Sequence, residues 1–552
     1  MRFAMASPIP LLVALLLLWG CEGPKGPQGA TGPQGPEGPG NPDLAPVITA
    51  LFAIPDSIGT HQTTQLVVAA YDPNGDTLSY HWVAPVGAFS SSTIPNPIWT
   101  ATDSMGLFSF TVHVIAGGDT TTGTLLVGVN TYVPSVTPYY LGNNATTCGH
   151  CHESTVSGWM ATGHSIAHDS LVNDPGYVEF CYPCHNTGWN ENVDNGGYDD
   201  NPVEALANVQ CEQCHGPMGP NPATHQPNMA DNLSGATCAA QCHTFQPAEW
   251  VSSRHGTAME NAGGMAAFID EWGNPSQDCN NCHIGEGFLN KWDASYQDNP
   301  LSFQTTANQI TCGICHDAHD QHTELQLRAQ VPIVLPNPAG YTISGWGMGL
   351  VCGNCHRDRR TPTQIQNQLD NGTSHFGPHS SPEADMVAGT GTYEIPGYSY
   401  PATPNQHANF PNACVNCHMA EEEHAEAGTT HNHTFEPQLL TCQSSLCHPG
   451  ATSFNIEGVQ DEVEALMNSL QTMILSNNPV LADSGWSEST VGDTAISTYE
   501  DRVAAWAWFF VEQDGTFGVH NKDYAMLILQ NSIDYYNSVL AQRKNESLWG
   551  AK

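Results

Sequence analysis

The chain has 552 residues, 13 Lys+Arg against 54 Asp+Glu, and a net charge of −41. This charge excludes nucleic-acid binding, because the chain has no basic surface to neutralise phosphates. Charged residues are only 12% of the chain, whereas Gly (52) and Pro (39) are abundant, which is typical of a loop-rich exported protein. The length favours several domains, and the 19 cysteines and 26 histidines indicate the chemistry.

Residues 1–20 are predicted to be a signal peptide, because the apolar run 11–18 is too short to span a bilayer. The sequence Leu-Trp-Gly-Cys that closes it resembles the bacterial lipobox, which implies lipidation of Cys21 and a membrane anchor. The alternative is an ordinary signal peptide. Within the predicted spacer, residues 21–42, glycine recurs at every third position from Gly23 to Gly38, as in collagen. Six glycines in register are few for a triple helix, which favours an extended spacer over a trimerisation stem.

Residues 43–133 contain no cysteine and are predicted to form a β-sandwich. Runs with strand character, such as 65–70 and 108–114, are separated by turns at 72–76 and 117–119. The phrase AYDPNGDTLSYHWVAPVG and the final strand at 123–127 resemble bacterial Ig-like domains of the polycystic-kidney-disease and cadherin-like type.

Two features of this β region have alternative interpretations. The sequence DPNGD indicates a tight turn between strands, with a calcium site as the alternative. The three histidines of the region are interpreted as surface or strand residues and not as metal ligands: His61, His81 and His113.

Eighteen cysteines form nine pairs, and a histidine directly follows each pair. Two thiols that add to the haem vinyl groups, followed by a histidine that binds the iron, are the signature of c-type haem attachment. A zinc site or a disulfide framework leaves the nine trailing histidines unexplained. Numbered in chain order, the motifs are 1 (Cys148, Cys151, His152), 2 (Cys181, Cys184, His185), 3 (Cys211, Cys214, His215), 4 (Cys238, Cys242, His243), 5 (Cys279, Cys282, His283), 6 (Cys312, Cys315, His316), 7 (Cys352, Cys355, His356), 8 (Cys414, Cys417, His418) and 9 (Cys442, Cys447, His448).

Motifs 4 and 9 have longer spacers between their cysteines than the C-x-x-C of the other seven. They are counted as haem sites because nine pairs and Cys21 then account for all 19 cysteines. The sequence therefore predicts nine c-type haems in residues 134–454, with stacked porphyrins forming much of the interior. Residues 455–552 have apolar side chains at helical spacing and are predicted to form a helical tail.

An internal repeat divides the first six motifs into two three-haem modules, at about 148–225 and 238–325. Motif 1 is followed by Trp159 and His164, and motif 4 by Trp250 and His255, at the same spacings. This pattern resembles the tetrahaem cytochrome that accepts electrons from hydroxylamine oxidoreductase. Phrases such as SHFGPHSSPEADMVAGTG and GVHNKDYAMLILQNSI resemble octahaem and pentahaem cytochromes, including ammonia-forming nitrite reductases. That resemblance implies a helical tail after the last haem.

Once the motif histidines and those of the β region are set aside, fourteen histidines remain as candidates for the distal ligands of nine irons. His322 is a rival to His319, an exposed loop position is the alternative for His225, and His150 is interpreted as a non-ligand. The predicted distal ligands are His164, His225, His255, His319, His375, His379, His407, His433 and His520.

An electron carrier can have two axial histidines on every iron. An enzyme needs at least one iron with an axial position that substrate can occupy. No motif ends in the lysine that the nitrite reductases carry at their catalytic haem, and no catalytic residue is assigned. The tyrosine cross-link of hydroxylamine oxidase is not visible in a sequence. Arg357, Arg359 and Arg360 beside motif 7 either pair with haem propionates or attract an anion to that haem.

The sequence therefore predicts a multidomain protein, with an Ig-like β-sandwich followed by a loop-rich, mainly α, multihaem domain and a helical tail. The predicted function is electron transfer outside the inner membrane, by a lipid-anchored cytochrome at the periplasmic side or the cell surface. Its negative charge favours redox partner proteins that are cationic, or an extracellular metal-oxide acceptor. The alternatives are a nitrite, hydroxylamine or tetrathionate-type oxidoreductase with one open haem, and a homo-oligomer or filament.

Overall fold

The structure is a computed structural model. It describes residues 44–54, 57–58, 60–129, 140–189, 195–217, 238, 242–243, 245–256, 277–297, 300–301, 309–320, 324–328, 330–401, 403, 405–424, 428–444 and 447–549. The predicted signal peptide, Cys21, the Gly-X-Y spacer, His225 and His322 lie outside the described residues.

The N-terminal region forms two four-stranded sheets, with strand orders β1-β3-β6-β5 and β2-β8-β7-β4. The neighbouring strands are antiparallel, except that β2 pairs with β8 in parallel. The strands are β1 (Val47–Ile54), β2 (Ser57–Ile58), β3 (Thr63–Tyr71), β4 (Ser79–Val83), β5 (Ala88–Phe89), β6 (Ile98–Thr100), β7 (Gly106–Ala116) and β8 (Asp119–Val129).

Both sheets contribute to one hydrophobic core, in which Trp82, Trp99 and Phe110 are almost fully buried. The indole nitrogen of Trp82 donates to the Ile94 carbonyl at 3.0 Å, so its burial leaves no polar atom unsatisfied. The DPNGD sequence forms a turn, because Asp72 Oδ1 accepts hydrogen bonds from two backbone N–H groups further along it. These observations confirm a β-rich N-terminal region.

Strand β3 is buried on both faces, which explains why its sequence is a continuous apolar run. Leu66, Val68 and Ala70 point into the core between the sheets. Val67 and Ala69 point the other way and pack against Trp250 and Val251, which follow motif 4. The β region is therefore docked on the motif-bearing part of the chain.

Short helices and loops make up the segment that carries the motifs, and the described helices here have ten residues or fewer. They are α1 (Asn144–Thr147), α2 (Glu153–Trp159), α3 (Tyr182–His185), α4 (Cys211–His215), α5 (Phe245–Ser252), α6 (Gln277–His283), α7 (Gly285–Trp292), α8 (Ala294–Gln297), α9 (Cys312–Cys315), α10 (Gly349–Gly353), α11 (Pro362–Asn371), α12 (Glu383–Ala388), α13 (Val415–His418) and α14 (Leu439–Cys442). Two hairpins pair β9 (Ile333–Leu335) with β10 (Tyr341–Ile343) and β11 (Glu421–His424) with β12 (Gly428–His431).

The C-terminal segment is helical: α15 (Val459–Asn477), α16 (Pro479–Ser484), α17 (Glu488–Val491), α18 (Tyr499–Asp514) and α19 (Lys522–Trp549). On α15 the buried side chains Val463, Met467, Leu470 and Ile474 recur at helical spacing and face one core. A capping box at Thr498 begins α18. In the described part of the chain, no helix is both long and apolar enough to cross a membrane.

The tail also supports the segment after motif 7. Phe376 packs against Trp506 and Phe509 of α18, with ring centroids 5.5 and 5.9 Å apart. Arg502 donates to the Leu369 carbonyl at 2.8 Å, which fixes the end of α11. The tail core and the segment that carries His379 therefore form one packed unit.

Candidate haem sites

In motifs 3, 5 and 6 both cysteines lie within one helix, α4, α6 and α9 respectively, which places the two thiols on one side of that helix. In motifs 1, 6, 7 and 8 the backbone N–H of the histidine donates to the carbonyl of the first cysteine at 2.8 to 2.9 Å. The long-spacer motifs close in the same way, since His243 N–H donates to Cys238 at 3.2 Å and His448 N–H to Cys442 at 2.8 Å. The longer spacers therefore keep the same hydrogen bond between the histidine and the first cysteine.

Six motif histidines each lie beside a histidine that the sequence predicts as a distal ligand. The ring centroids are separated by 5.8 to 6.3 Å in all six pairs. The pairs, motif histidine first, are His215–His319, His243–His164, His283–His379, His316–His433, His356–His255 and His418–His520.

This spacing fits one metal ion held between two imidazoles. With metal–nitrogen bonds of about 2 Å on opposite sides, the two ring centres lie about 6 Å apart. The separation is not diagnostic alone, because His81 and His113 are also 6.1 Å apart as a cross-strand pair on β4 and β7. Neither of these follows a cysteine pair. The residues present at the six motifs therefore fit haem iron with two axial histidines.

Hydrogen bonds fix which ring nitrogen faces the partner. The Nδ1 atoms of His316, His418 and His433 lie 2.7 to 2.9 Å from backbone carbonyl oxygens. Because a carbonyl can only accept, Nδ1 carries the proton and donates, which leaves Nε2 free to bind a metal. Motif 2 shares this arrangement, since His185 Nδ1 donates to the Ala167 carbonyl at 2.8 Å.

Burial favours the neutral form of four of the paired histidines, the state in which imidazole binds metals. Burial, with a further contribution from neighbouring cationic groups, lowers the pKa of His243, His255, His283 and His433 to about 4. At neutral pH these rings therefore hold no extra proton that would have to leave before a metal binds.

The other predicted distal ligands have different surroundings. His375 is exposed, and its Nδ1 lies 3.2 Å from Ser374 Oγ. The ring of His407 bonds to the backbone of Val519 and His520, and it lies near enough to His448 of motif 9 for their charges to interact. The structure therefore brings His407 towards motif 9 and leaves His375 on the surface.

Motif 2 lies beside a cluster of aromatic rings that the sequence analysis did not single out. Tyr177 contacts His185 at 5.6 Å between ring centroids, and its hydroxyl lies 2.9 Å from Nδ1 of the buried His168. Tyr182 and Tyr198 also contact His168. No regular spacing in the sequence connects these residues.

Contacts between cysteines of different motifs show which motifs adjoin. The thiols of five cross-motif pairs lie within hydrogen-bonding reach: Cys148–Cys211, Cys184–Cys242, Cys238–Cys312, Cys282–Cys355 and Cys352–Cys414. Six further pairs are near enough to interact electrostatically: Cys214–Cys238, Cys214–Cys242, Cys315–Cys352, Cys315–Cys355, Cys417–Cys442 and Cys417–Cys447. The motifs therefore adjoin in the order 1-3-4-6-7-8-9, with motif 2 beside motif 4 and motif 5 beside motif 7.

The two modules repeat this arrangement in three dimensions. Trp159 Nε1 donates to the carbonyl of Val209, two residues before motif 3, at 3.1 Å. Trp250 Nε1 donates to the carbonyl of Ile310, two residues before motif 6, at 2.8 Å. His164 pairs with motif 4, and His255 pairs with motif 7, so each serves the motif three places further on.

The arginines after motif 7 face motif 5 as well. Arg359 Nη2 lies 2.7 Å from Nδ1 of His379, the partner of His283. Arg357, Arg359 and Lys291 line a cavity of about 130 Å³ together with Cys282 of motif 5. The arginine cluster after motif 7 therefore also lies beside motif 5.

Comparisons with known proteins agree with the motifs. Residues 147–216, which hold motifs 1 to 3, match the family model described as cytochrome c554 and c-prime. These findings support a multihaem c-type cytochrome. No curated protein was found to match the chain.

Two solved structures are similar over part of the chain. The outer cell wall cytochrome OcwA is 18% identical, covers 72% of this chain and 99% of its own, and has a TM-score of 0.44. A nucleoside hydrolase-related protein from Saccharophagus degradans is 15% identical over 16% of this chain and 26% of its own, with a TM-score of 0.15. Since both TM-scores are low, the functional argument rests on the motifs and their geometry.

Proposed function

We propose that the protein is a nine-haem cytochrome that relays electrons and does not turn over a small substrate. The observation that carries this proposal is the set of six motif histidines, each lying 5.8 to 6.3 Å from a second histidine ring. An iron with histidine on both faces has no open position for substrate. His407 near motif 9 is the proposed seventh distal ligand.

The contacts between motifs support a continuous route. Bound haem supplies an iron centre that exchanges single electrons. The chain's own residues hold adjoining motifs in the order 1-3-4-6-7-8-9, through cross-motif pairs such as Cys238–Cys312 and Cys352–Cys414. They also fix the histidine rings through backbone carbonyls and exclude water by burial. Motifs 2 and 5 lie beside this route, so motifs 1 and 9 are its two ends.

Anchoring and partners belong to the same proposal. The lipobox-like sequence at Cys21 and the Gly-X-Y spacer support an exported protein held at a membrane, and the β region supports an Ig-like domain docked on motif 4. The net charge of −41 supports a cationic redox protein or a metal oxide as the acceptor. Each end of the route is a candidate for exchange with such a partner.

The experiment that tests the proposal combines intact mass with carbon monoxide binding. We expect nine haem additions and a lipid on Cys21, and negligible carbon monoxide binding at the six paired motifs. His433→Ala should open one additional iron, whereas the matched His375→Ala, which removes an exposed histidine, should not. If His433→Ala bound no more carbon monoxide than the parent protein, axial ligation by His433 would be wrong.

The alternative oxidoreductase has its own outcome in the same experiment. Motif 2 is the first place to look for an open iron, because a tyrosine ring contacts His185 there and its distal ligand lies outside the pairs described above. Steady nitrite or hydroxylamine turnover with a viologen donor, abolished by changing motif 2 alone, would overturn the relay and establish an enzyme.

A further inference from the structure

One turn of the first module, residues 164–169, serves two different motifs. It carries His164, whose ring centroid lies 6.3 Å from that of His243 in motif 4. It also presents the Ala167 carbonyl, which accepts a hydrogen bond from Nδ1 of His185 in motif 2 at 2.8 Å. The position of this turn therefore bears on the histidines of both motifs.

The turn acts on the two motifs in different ways. At motif 2 its carbonyl fixes the proton of His185 on Nδ1, which leaves Nε2 to bind iron. At motif 4 it brings His164 to the face opposite His243. Motifs 2 and 4 also adjoin through the thiols of Cys184 and Cys242. The turn therefore lies at the point where motif 2 joins the proposed route.

The side chain of Asn208, three residues before motif 3 begins, holds this turn in place. Its Oδ1 accepts hydrogen bonds from the backbone N–H of His168 at 2.7 Å and of Asp169 at 3.1 Å. Its Nδ2 donates to Asp169 Oδ2 at 2.9 Å. Beside it, the backbone N–H of Val209 donates to the His164 carbonyl at 3.1 Å. Both ends of one amide are therefore bonded to the turn.

The surroundings of Asn208 explain why an asparagine suits this position. Its backbone has a φ of 69°, in the left-handed region that glycine and asparagine adopt most readily. Its carbonyl accepts a hydrogen bond at 2.7 Å from Oγ1 of Thr187, two residues after motif 2, which anchors it from the other side. The residue is 9% exposed, so water competes weakly for its amide. Glycine would allow the backbone conformation but would lack the amide.

We propose that Asn208 is a positioning residue that sets the axial ligation of two haems, at motif 2 and at motif 4. Its side chain bonds to the turn and not to the ring of either histidine, so it acts through His164 and the Ala167 carbonyl. The inference rests on the proposed relay function, because it takes His164 and His185 as axial ligands.

The test uses electron paramagnetic resonance of the oxidised, full-length, haem-loaded protein and carbon monoxide binding to its reduced form. Asn208→Gly removes the amide and keeps a residue suited to the left-handed backbone. It should shift the signals of two haems and let one additional iron bind carbon monoxide. The matched control is Asn143→Gly, the same change at another left-handed asparagine of the module, with a φ of 48°. The Asn143 side chain is exposed and makes no cap hydrogen bond to α1, so this variant should behave like the parent protein.

An exchange of two side chains covers the case in which Asn208→Gly fails to fold. Asn208→Asp alone places a second carboxylate against that of Asp169 and should change the same two signals. Combined with Asp169→Asn, the amide and the carboxylate exchange places, so all three hydrogen bonds can form again and the parent spectrum should return. The inference is overturned if the spectra of Asn208→Gly and Asn143→Gly superimpose, or if the double variant keeps the changed spectrum of Asn208→Asp.

His164→Ala separates this inference from the relay on which it rests. It should let one additional iron bind carbon monoxide and remove one of the two signals that Asn208→Gly shifts. If His164→Ala bound no more carbon monoxide than the parent protein, axial ligation by His164 would be wrong, and the relay proposal would fail at motif 4. If His164→Ala opened an iron while Asn208→Gly changed nothing, only the positioning role of Asn208 would be wrong.

Discussion

The first two modules and the helical tail are stabilised in different ways. Among the described residues, one tail-centred cluster holds 25 buried hydrophobic side chains, from Ile365 to Tyr536. The clusters beside motif 1 and motif 6 hold three and five. In the modules, buried polar groups hold loops together by hydrogen bonds. For example, Glu212 accepts hydrogen bonds from the backbone of Leu141 and Gly142. The tail has a conventional apolar core, whereas we expect the modules to depend on bound haem for their stability.

The largest expected effect follows from withholding haem. A chain made without haem-attachment machinery should lose hydrogen-exchange protection in residues 140–328 and keep it in α15, α18 and α19, because the tail, unlike the modules, has a large apolar core of its own. The strands of the β region should also stay protected. Hydrogen exchange read by mass spectrometry checks each segment. Uniform loss of protection across the chain would contradict the comparison.

The next largest effect should be the loss of stability caused by one cavity in the tail core. Phe510→Ala removes a fully buried ring from the tail core, which should reduce the free energy of unfolding by about 3–5 kcal/mol. Val480→Ala on α16, where the side chain is 55% exposed, is the matched control and should change it by less than about 0.5 kcal/mol. Denaturant unfolding followed by tryptophan fluorescence measures both, and similar losses would show that the tail core is not what stabilises this region.

The repeated tryptophans test the modules at a smaller scale. Trp159→Phe and Trp250→Phe each remove one indole N–H and leave a buried carbonyl unsatisfied, which should cost about 1–3 kcal/mol. The loss should be larger at Trp250, because that ring also packs on Val67 and Ala69 of the β region. Thermal unfolding at the Soret band measures both. A larger loss for Trp159→Phe would show that docking of the β region adds nothing to module stability.

The smallest effect is a pH dependence of the tail. Burial, followed by the nearby charge of Glu512, raises the pKa of Glu488, and burial raises the pKa of Glu512. A carboxyl whose pKa is raised by folding disfavours the folded state once ionised, so stability is highest below the ordinary value of 4.5 and falls as pH rises through the raised pKa. Glu512→Gln should flatten this fall, by less than about 1 kcal/mol because both groups are partly exposed.

The matched control for this prediction is Glu464→Gln on an exposed position of α15. Calorimetric unfolding temperatures across the acid range should show the same pH slope for this variant as for the parent protein. A steeper slope in Glu512→Gln than in the parent would reverse the assigned sign.

The contrast between the tail and the modules explains which structural features could be predicted from the sequence. In the tail, periodic apolar residues such as Val463, Leu470 and Ile474 are all buried, because a helix with one apolar face buries that face. In the modules the spacing of apolar residues predicts little of the structure. The cysteine–histidine motifs are the main signal there. Cysteine accounting predicts the two long-spacer motifs, and in both of them the histidine N–H donates to the carbonyl of the first cysteine, as in motifs 1, 6, 7 and 8.

The predicted distal histidines were less uniform. Six of the nine lie beside a motif histidine, while His375 is exposed and His225 lies outside the described residues. At motif 7 the structure places His255 beside His356. The sequence analysis missed Asp514 as the partner of His520, because no spacing rule connects a buried carboxylate to a ligand on the next loop.

The sequence by itself determined where the haem-attachment motifs lie, because the two cysteines and the trailing histidine of each motif are near neighbours in the chain. Only the tertiary structure decided which histidines face each other and which motifs adjoin. A distal ligand comes from another module or from the tail, as when His164 meets His243 or His520 meets His418. Such pairs depend on how separate segments pack, and the chain between them follows no periodic pattern that would encode the approach.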